Sequence, residues 1–316
     1  MLSYTRRFYL NKRNILITGG LGYLGGETVA LLLKNKDNVV TVYDRGINGS
    51  DHMSSLFCDQ LNVVIGDLRD KDNLKTYVDK ADTVIHFAGV AGAPLVNRKP
   101  IEAYDTNIEG TKILASLVKK QRLLYASTGS VYGKVLGTCT EKTPAKPLSV
   151  YGEQKLSGEE ILSDKGGVSL RLATVYGLSY KTRDDLYINK MIQLALVDKS
   201  VVLYEPDALR TFMHVQDTAR AMNHFVDMLE IPDKVYNVGD QSLSYSKRQI
   251  CELISKFIPF NIFEDDFHKD PDQRDYLVSY EKLLSTGFAC KIRLEEKIQS
   301  MINYYESRFN SGYSNG

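Results

Sequence analysis

Short apolar runs alternate with helical patterns, a glycine-rich turn closes the first run, and a carboxylate closes the second. Together they predict an α/β protein: a doubly wound parallel sheet of the Rossmann kind, then a smaller C-terminal α/β part. The expected division is 11–177 for a dinucleotide-binding domain and 178–316 for a mainly substrate-binding part, some of whose elements pack back on the first domain.

The first run, Asn14-Ile-Leu-Ile-Thr18, ends in Gly19-Gly20-Leu21-Gly22-Tyr23-Leu24-Gly25, and a helical pattern continues to about Lys34. Strand, glycine turn and helix in that order bring backbone amides at a helix N-terminus up to a pyrophosphate, with no Cβ in the way. The second run, Asn38 to Asp44, places a carboxylate 19 residues after Gly25, where a ribose 2′-hydroxyl would be held. Asp44 should repel a 2′-phosphate, which favours NAD over NADP; Arg45 beside it pulls the other way.

Val63–Gly66 reads as the third strand, leading into Asp67-Leu68-Arg69, and Asp70–Lys80 as a helix. Thr83–Phe87 is the fourth strand, followed by Ala88 and Gly89. Pro100 opens a long helix to about Gln121, and Leu123–Ser127 is the fifth strand. Ser149 is a suitable N-cap for the next helix, and Val168–Leu172 is the sixth strand. Alternation at these lengths implies a parallel sheet covered on both faces, with ligands beyond the carboxyl ends of its strands. From about Leu178 the rhythm loosens: helices are expected near Asp185–Val197, Asp217–Met228, Ser246–Ile258 and Leu294–Arg308. Short strands are expected at Val201–Tyr204, Thr211–Val215 and Val235–Val238.

The helix after Ser149 carries Tyr151 and Lys155, four residues apart and so on one face. A phenol with a pKa of ~10 is a poor base at neutral pH. A neighbouring ammonium favours its phenolate, as general acid-base chemistry requires.

The 316 residues are 43% hydrophobic and 25% charged with a formal net charge of +1. That balance gives no electrostatic footprint for nucleic acid or an anionic membrane. No apolar run approaches the ~20 residues of a membrane span, and the basic Met1–Leu10 leader lacks the apolar core of a signal peptide. The scattered Cys58, Cys139, Cys251 and Cys290 suggest reduced thiols in a cytoplasmic enzyme, and the five histidines show no metal-ligand spacing.

Taken together, the motifs resemble those of the extended short-chain dehydrogenase/reductases, in the branch that modifies nucleotide-diphosphate sugars. The resemblance covers nearly the whole chain. It rests on Thr18 to Gly25, Asp67-Leu68, His86 to Gly89, Asn107 with Gly110-Thr111, Ser127 to Gly133, and the Tyr151/Lys155 pair. It continues through Arg171 to Gly177, Arg210 to Val215 with Asp217, and Tyr236 to Gly239.

The resemblance implies roles. Thr128 would hydrogen-bond the reacting sugar oxygen, Tyr151 would take the hydroxyl proton, and Lys155 would hold the nicotinamide ribose. Gly19, Gly22, Tyr23, Leu24, Asp44, Asp67, Leu68, Phe87, Ala88 and Gly89 would form the rest of the NAD site. Arg210 and Arg274 match positions that grip the substrate diphosphate, and Thr174 stands where many 4-epimerases have Asn. Gly129 and Ser130 replace the Asp-Glu pair of the 4,6-dehydratases, which argues against elimination of water.

The expected activity is therefore NAD-dependent oxidation of the C4 hydroxyl of a nucleotide-diphosphate sugar, as a 4-epimerase or a 4-dehydrogenase. The stretch Gly177–Leu186 resembles a subgroup from capsule and lipopolysaccharide sugar pathways, which implies a GDP-linked hexose or heptose. A 4-keto-sugar reductase and a non-catalytic cofactor sensor are the alternatives. The resemblance also implies a homodimer pairing through Pro100–Gln121 and Ser149–Lys165.

Overall fold

The computed structural model describes residues 12–47, 49–135, 137–265 and 277–312; the Met1–Leu10 leader and Arg274 lie outside the described residues. The apolar run β1 (Arg13–Thr18) passes through the glycine turn into α1 (Tyr23–Leu32). Next come β2 (Asn38–Asp44), β3 (Leu61–Ile65) and α2 (Lys71–Val78), whose N-cap Asp70 accepts from the Asn73 amide. β4 (Thr83–His86) leads to α3 (Ala93–Arg98) and α4 (Pro100–Tyr104).

A π turn, Asp105–Gly110, joins α4 to α5 (Thr111–Leu117), so the long helix expected from Pro100 is interrupted and ends four residues before Gln121. The side chain of Gln121 supplies the reason: its Oε1 accepts from the amides of Lys119 (2.8 Å) and Lys120 (3.1 Å), turning the chain out of the helix.

β5 (Arg122–Thr128) and β6 (Thr138–Cys139) precede α6 (Val150–Ser163). Ser149 caps α6 as its residue type predicts, its Oγ accepting from the Gly152 amide at 3.1 Å. The chain continues through β7 (Val168–Leu172), β8 (Thr174–Tyr176), α7 (Tyr187–Val197), β9 (Ser200–Tyr204) and β10 (Leu209–His214). It closes with α8 (Val215–Asp227), β11 (Val235–Val238), β12 (Ser244–Ser246), α9 (Lys247–Ser255), β13 (Asn261–Asp265), β14 (Leu277–Val278), α10 (Glu281–Ser285) and α11 (Glu295–Asn310). A Ser246/Gln249 capping box opens α9.

Seven strands form the central parallel sheet in the order β11-β7-β5-β4-β1-β2-β3. The chain leaves β1 outward through β2 and β3, then returns to place β4 on the other side of β1. The carboxyl ends of β1 and β4 are thus the topological switch point, where this fold class binds its ligands. Smaller sheets join β8, β10 and β12, β9 with β13, and β6 with β14.

The chain divides into two compact units that interleave along the sequence. Among the described residues, one takes those up to Ser127 with 154–170 and 219–235; the other takes those in 128–153, in 171–218 and from Tyr236 on. The expected boundary at 177 is not one of the crossing points. Late segments explain this: Arg122, for example, donates through Nη1 to the carbonyls of Phe225 (3.0 Å) and Val226 (2.6 Å) in α8. In the first unit Leu16, Tyr43, Leu74, Val84, Leu114, Leu123, Tyr125 and Leu162 share one core. In the second, Tyr176, Ile188, Ile192, Phe212, Ile250, Ile298 and Tyr305 share another.

Candidate active site

The turn after β1 is built so that only glycine fits. Gly19 has φ +74°, and a Cβ there would lie 2.5 Å from the Ala88 amide nitrogen and 2.7 Å from its Cα. A Cβ on Gly25 would meet the Gly19 carbonyl oxygen at 2.4 Å. Backbone therefore lies against backbone where β1, the start of α1 and the loop after β4 converge. The N-cap Gly22 brings no side-chain acceptor to the amides of the first turn of α1, which suits an anion.

Asp44 ends β2, as its spacing predicts, and its carboxylate accepts from the amides of Leu21 (3.1 Å) and Gly46 (2.9 Å). Arg45 turns to Glu102, with Nη2 2.8 Å from Oε1. Asp67 is gripped by Arg69, whose Nε and Nη2 donate at 2.9 and 2.7 Å and hold the carboxyl below its ordinary pKa. Leu68 is 4% exposed and packs in the core of the first unit.

The amides of Phe87 and Ala88 both donate to the Thr18 carbonyl at 2.9 Å. The next two residues are held by the buried Asn107 of the π turn. Its Oδ1 accepts from the Val90 amide (2.8 Å), its Nδ2 donates to the Val90 carbonyl (3.0 Å) and to Gln154 Oε1 (2.7 Å), and a Cβ on Gly89 would lie 2.7 Å from Oδ1.

Tyr151 and Lys155 stand one turn apart in α6. The Lys155 side chain is buried; its Nζ donates to the Ala126 carbonyl at 2.8 Å and lies 4.7 Å from the Tyr125 ring centroid. Burial pulls this ammonium down to about 8, with the Glu159 carboxylate acting in the opposite direction. Thr128 lies two residues beyond Ala126 on β5 and is also buried; its hydroxyl accepts from the Ser130 amide at 3.2 Å.

The second unit has its own cavity of about 30 Å³, lined among others by Gly129, Arg171, Thr174, Arg210, Asn237 and Tyr280. Arg171 lies over the Tyr132 ring at 4.8 Å, and Tyr132 donates to Asn237 Oδ1 at 2.6 Å. Two largely buried guanidiniums in one cavity give it a positive lining suited to an anionic ligand. Thr174 and Arg210, expected on the substrate, do share this cavity.

Sequence reading singled out neither Glu159 nor Gln154, although both are buried polar residues of α6. The signal existed: Glu159 is four residues beyond Lys155, the same spacing that links Lys155 to Tyr151.

Residues 15–239 match the NAD dependent epimerase/dehydratase family. The chain belongs to that family, and it is an enzyme of the NAD-dependent nucleotide-sugar class. Among curated relatives it is 29% identical over 290 residues to the UDP-glucose 4-epimerase of Yersinia enterocolitica, covering 79% of this chain and 85% of that one. It is 26% identical over 315 residues to UDP-glucuronic acid decarboxylase 6 of Arabidopsis thaliana, covering 93% and 89%. The fold matches the UDP-glucuronic acid 4-epimerase of Bacillus cereus, solved with UDP-glucuronic acid and NAD. The TM-score is 0.82 at 24% identity, over 93% of this chain and 99% of that one. The tight backbone turn at Gly19 and Gly25, leading into the N-terminus of α1 that no side chain caps, fits the family's NAD. Among the described residues no helix is long and apolar enough to cross a membrane.

Proposed function

We propose that the protein oxidises the C4 hydroxyl of a nucleotide-diphosphate sugar and returns the hydride to the other face, acting as a 4-epimerase; release of the ketone would make it a 4-dehydrogenase. The observation that carries this reading is Lys155, buried on the same helix as Tyr151 and hydrogen-bonded at Ala126, two residues before Thr128. Bound NAD would supply the hydride acceptor. Gly19, Gly22, Tyr23, Leu24, Asp44, Asp67, Leu68, Phe87, Ala88 and Gly89 would hold it.

Thr128 would hydrogen-bond the sugar oxygen, and Tyr151 would take its proton. Lys155 would bind the ribose and favour the phenolate by its charge. Arg210 and Arg274 would grip the diphosphate, with Thr174 beside the sugar. Gly129 and Ser130 follow Thr128, so no carboxylate stands there to assist loss of water.

The GDP-sugar implied by the Gly177–Leu186 stretch has no support among the relatives named above, whose names carry UDP-sugars; a UDP-linked hexose or hexuronic acid is the substrate we favour. Cytoplasmic residence is part of the same reading, supported by cysteines of which none forms a disulfide. So is a homodimer through Pro100–Gln121 and Ser149–Lys165. Ile101 (78% exposed), Tyr104 (50%) and Val150 (46%) leave apolar side chains on those segments for a partner to cover.

The test is Tyr151→Phe. It should lower turnover by at least about a thousandfold while NAD stays bound, because the proton acceptor alone is lost. Mass spectrometry of co-purifying nucleotide and a panel of UDP- and GDP-sugars would identify cofactor and substrate together. Near-normal activity in the variant would overturn the assignment.

A further inference from the structure

Lys155 must stay cationic for the role proposed above, yet its surroundings oppose a charge. It is 6% exposed in the interior of the first unit, and burial draws its ammonium down to about 8. The groups around it can be named. From β5 come the Ala126 carbonyl at 2.8 Å and the face of Tyr125 at 4.7 Å. From β4 comes His86, stacked on Tyr125 at 5.5 Å and held neutral by burial, so it adds no second positive charge. On α6 itself stand Tyr151 one turn before and Glu159 one turn after.

Glu159 is 5% exposed, and its Oε1 accepts from the Ser127 hydroxyl. Consecutive residues of β5 thus engage α6. Tyr125 lies so close to Gly158 that a Cβ there would be 2.3 Å from its hydroxyl; Ala126 takes the lysine, and Ser127 takes the glutamate. A buried carboxylate without a cation nearby would be costly, as would the buried ammonium alone. Held by the same strand one turn apart, each offsets the desolvation of the other.

We infer that Glu159 is a positioning residue for Lys155: its carboxylate, fixed to β5 by Ser127, keeps the lysine in its ammonium form. Tyr151 and Lys155 alone are then an incomplete unit, and the working motif on α6 runs from Tyr151 to Glu159.

The test compares the full-length protein with its Glu159→Gln variant, both carrying isotope-labelled lysine. The Lys155 signal is assigned by its loss in Lys155→Met and titrated by NMR from about pH 5 to 10. The variant should titrate about one pH unit lower or more, a tenfold change in the ammonium-to-amine ratio. The alkaline limb of kcat/KM should move by the same amount. Glutamine keeps an oxygen for Ser127, so a purely structural role predicts no displacement, and an unmoved Lys155 titration overturns the inference. Should Glu159→Gln fail to fold, Glu159→Asp is titrated instead; a smaller shift in the same direction supports the inference and none overturns it. Because this readout needs no substrate, a wild-type protein that turns over no nucleotide sugar would overturn the catalytic reading and leave this one standing.

Discussion

Thr18 Oγ1 lies 2.7 Å from His86 Nδ1, at the ends of the adjacent strands β1 and β4. The direction of that hydrogen bond follows from its neighbours. Thr111 spends its hydroxyl proton on the Asn107 carbonyl at 2.7 Å, so towards His86 Nε2, 3.0 Å away, it can only accept. His86 is therefore the Nε2–H tautomer, and its Nδ1 accepts from Thr18. A neutral imidazole is fully satisfied here, and burial opposes its charged form.

Acid should consequently unfold the protein through its histidines. Burial, with the Lys155 charge adding to it, pulls His86 from 6.5 to about 3, and burial does the same to His214. Between those values the unfolded chain holds two more protons than the folded one, so stability is fully present above pH ~6.5 and falls as pH drops. The slope is about 2.7 kcal/mol per pH unit for the pair, roughly 4 kcal/mol lost by pH 5. Urea unfolding at pH 7.5, 6 and 5 would read this; equal free energies at pH 7.5 and 5 would contradict it.

Gly19→Ala should be among the most damaging single-methyl changes in the chain. The residue combines φ +74° with an approach of 2.5 Å to the Ala88 amide nitrogen, so the methyl meets backbone, not a side chain that could swing away. A loss of about 2–4 kcal/mol is expected, along with a large fall in NAD binding. Thermal unfolding and cofactor titration would check both, whereas Gly137→Ala, with open space around it but φ +86°, should cost only about 1 kcal/mol.

Much of this arrangement is legible in the sequence, for reasons that differ by residue. The glycine turn, Asp44 at a strand end and the Ser149 cap are local, and spacing alone locates them. Strand β11 has the expected bounds, but its place at the edge of the central sheet is a long-range pairing that no local pattern encodes. The π turn is similarly hidden: Asp105–Gly110 reads as ordinary helix, while its Asn107 bonds to Val90 and Gln154, far along the chain. Arg171 stood out as part of a motif, but nothing in the sequence tells that it shares a cavity with Arg210.

Arg45 bears on cofactor choice. Glu102 occupies its guanidinium at 2.8 Å and also lies 3.2 Å from Lys99, so the cation that could receive a 2′-phosphate already has a carboxylate. Glu102→Gln should raise affinity for NADP two- to fivefold, about 0.5–1 kcal/mol, the range of an exposed ion pair. Adding Asp44→Ser, which removes the repelling charge, should enlarge the gain. Dissociation constants for both dinucleotides would decide it, and an unchanged ratio in the double variant would remove Glu102 from any part in cofactor choice.

Asn107 offers the sharpest separation of stability from chemistry. Its amide makes three buried hydrogen bonds, two to the Val90 backbone and one to Gln154 of α6. Asn107→Leu would leave the Val90 amide and carbonyl and the Gln154 oxygen to find other partners, at about 1–3 kcal/mol for each that fails. Asn107→Asp keeps the acceptor for Val90 but forfeits both donations and buries a carboxylate against two acceptor oxygens, so it should destabilise at least as much as leucine does. Both substitutions loosen the loop that carries Ala88 and Gly89 while leaving Tyr151 and Lys155 in place. They should therefore raise KM for NAD more than they lower kcat, the reverse of Tyr151→Phe. Steady-state kinetics at saturating and limiting NAD would separate the two patterns, and a fall in kcat alone would show that Asn107 serves α6 rather than the cofactor loop.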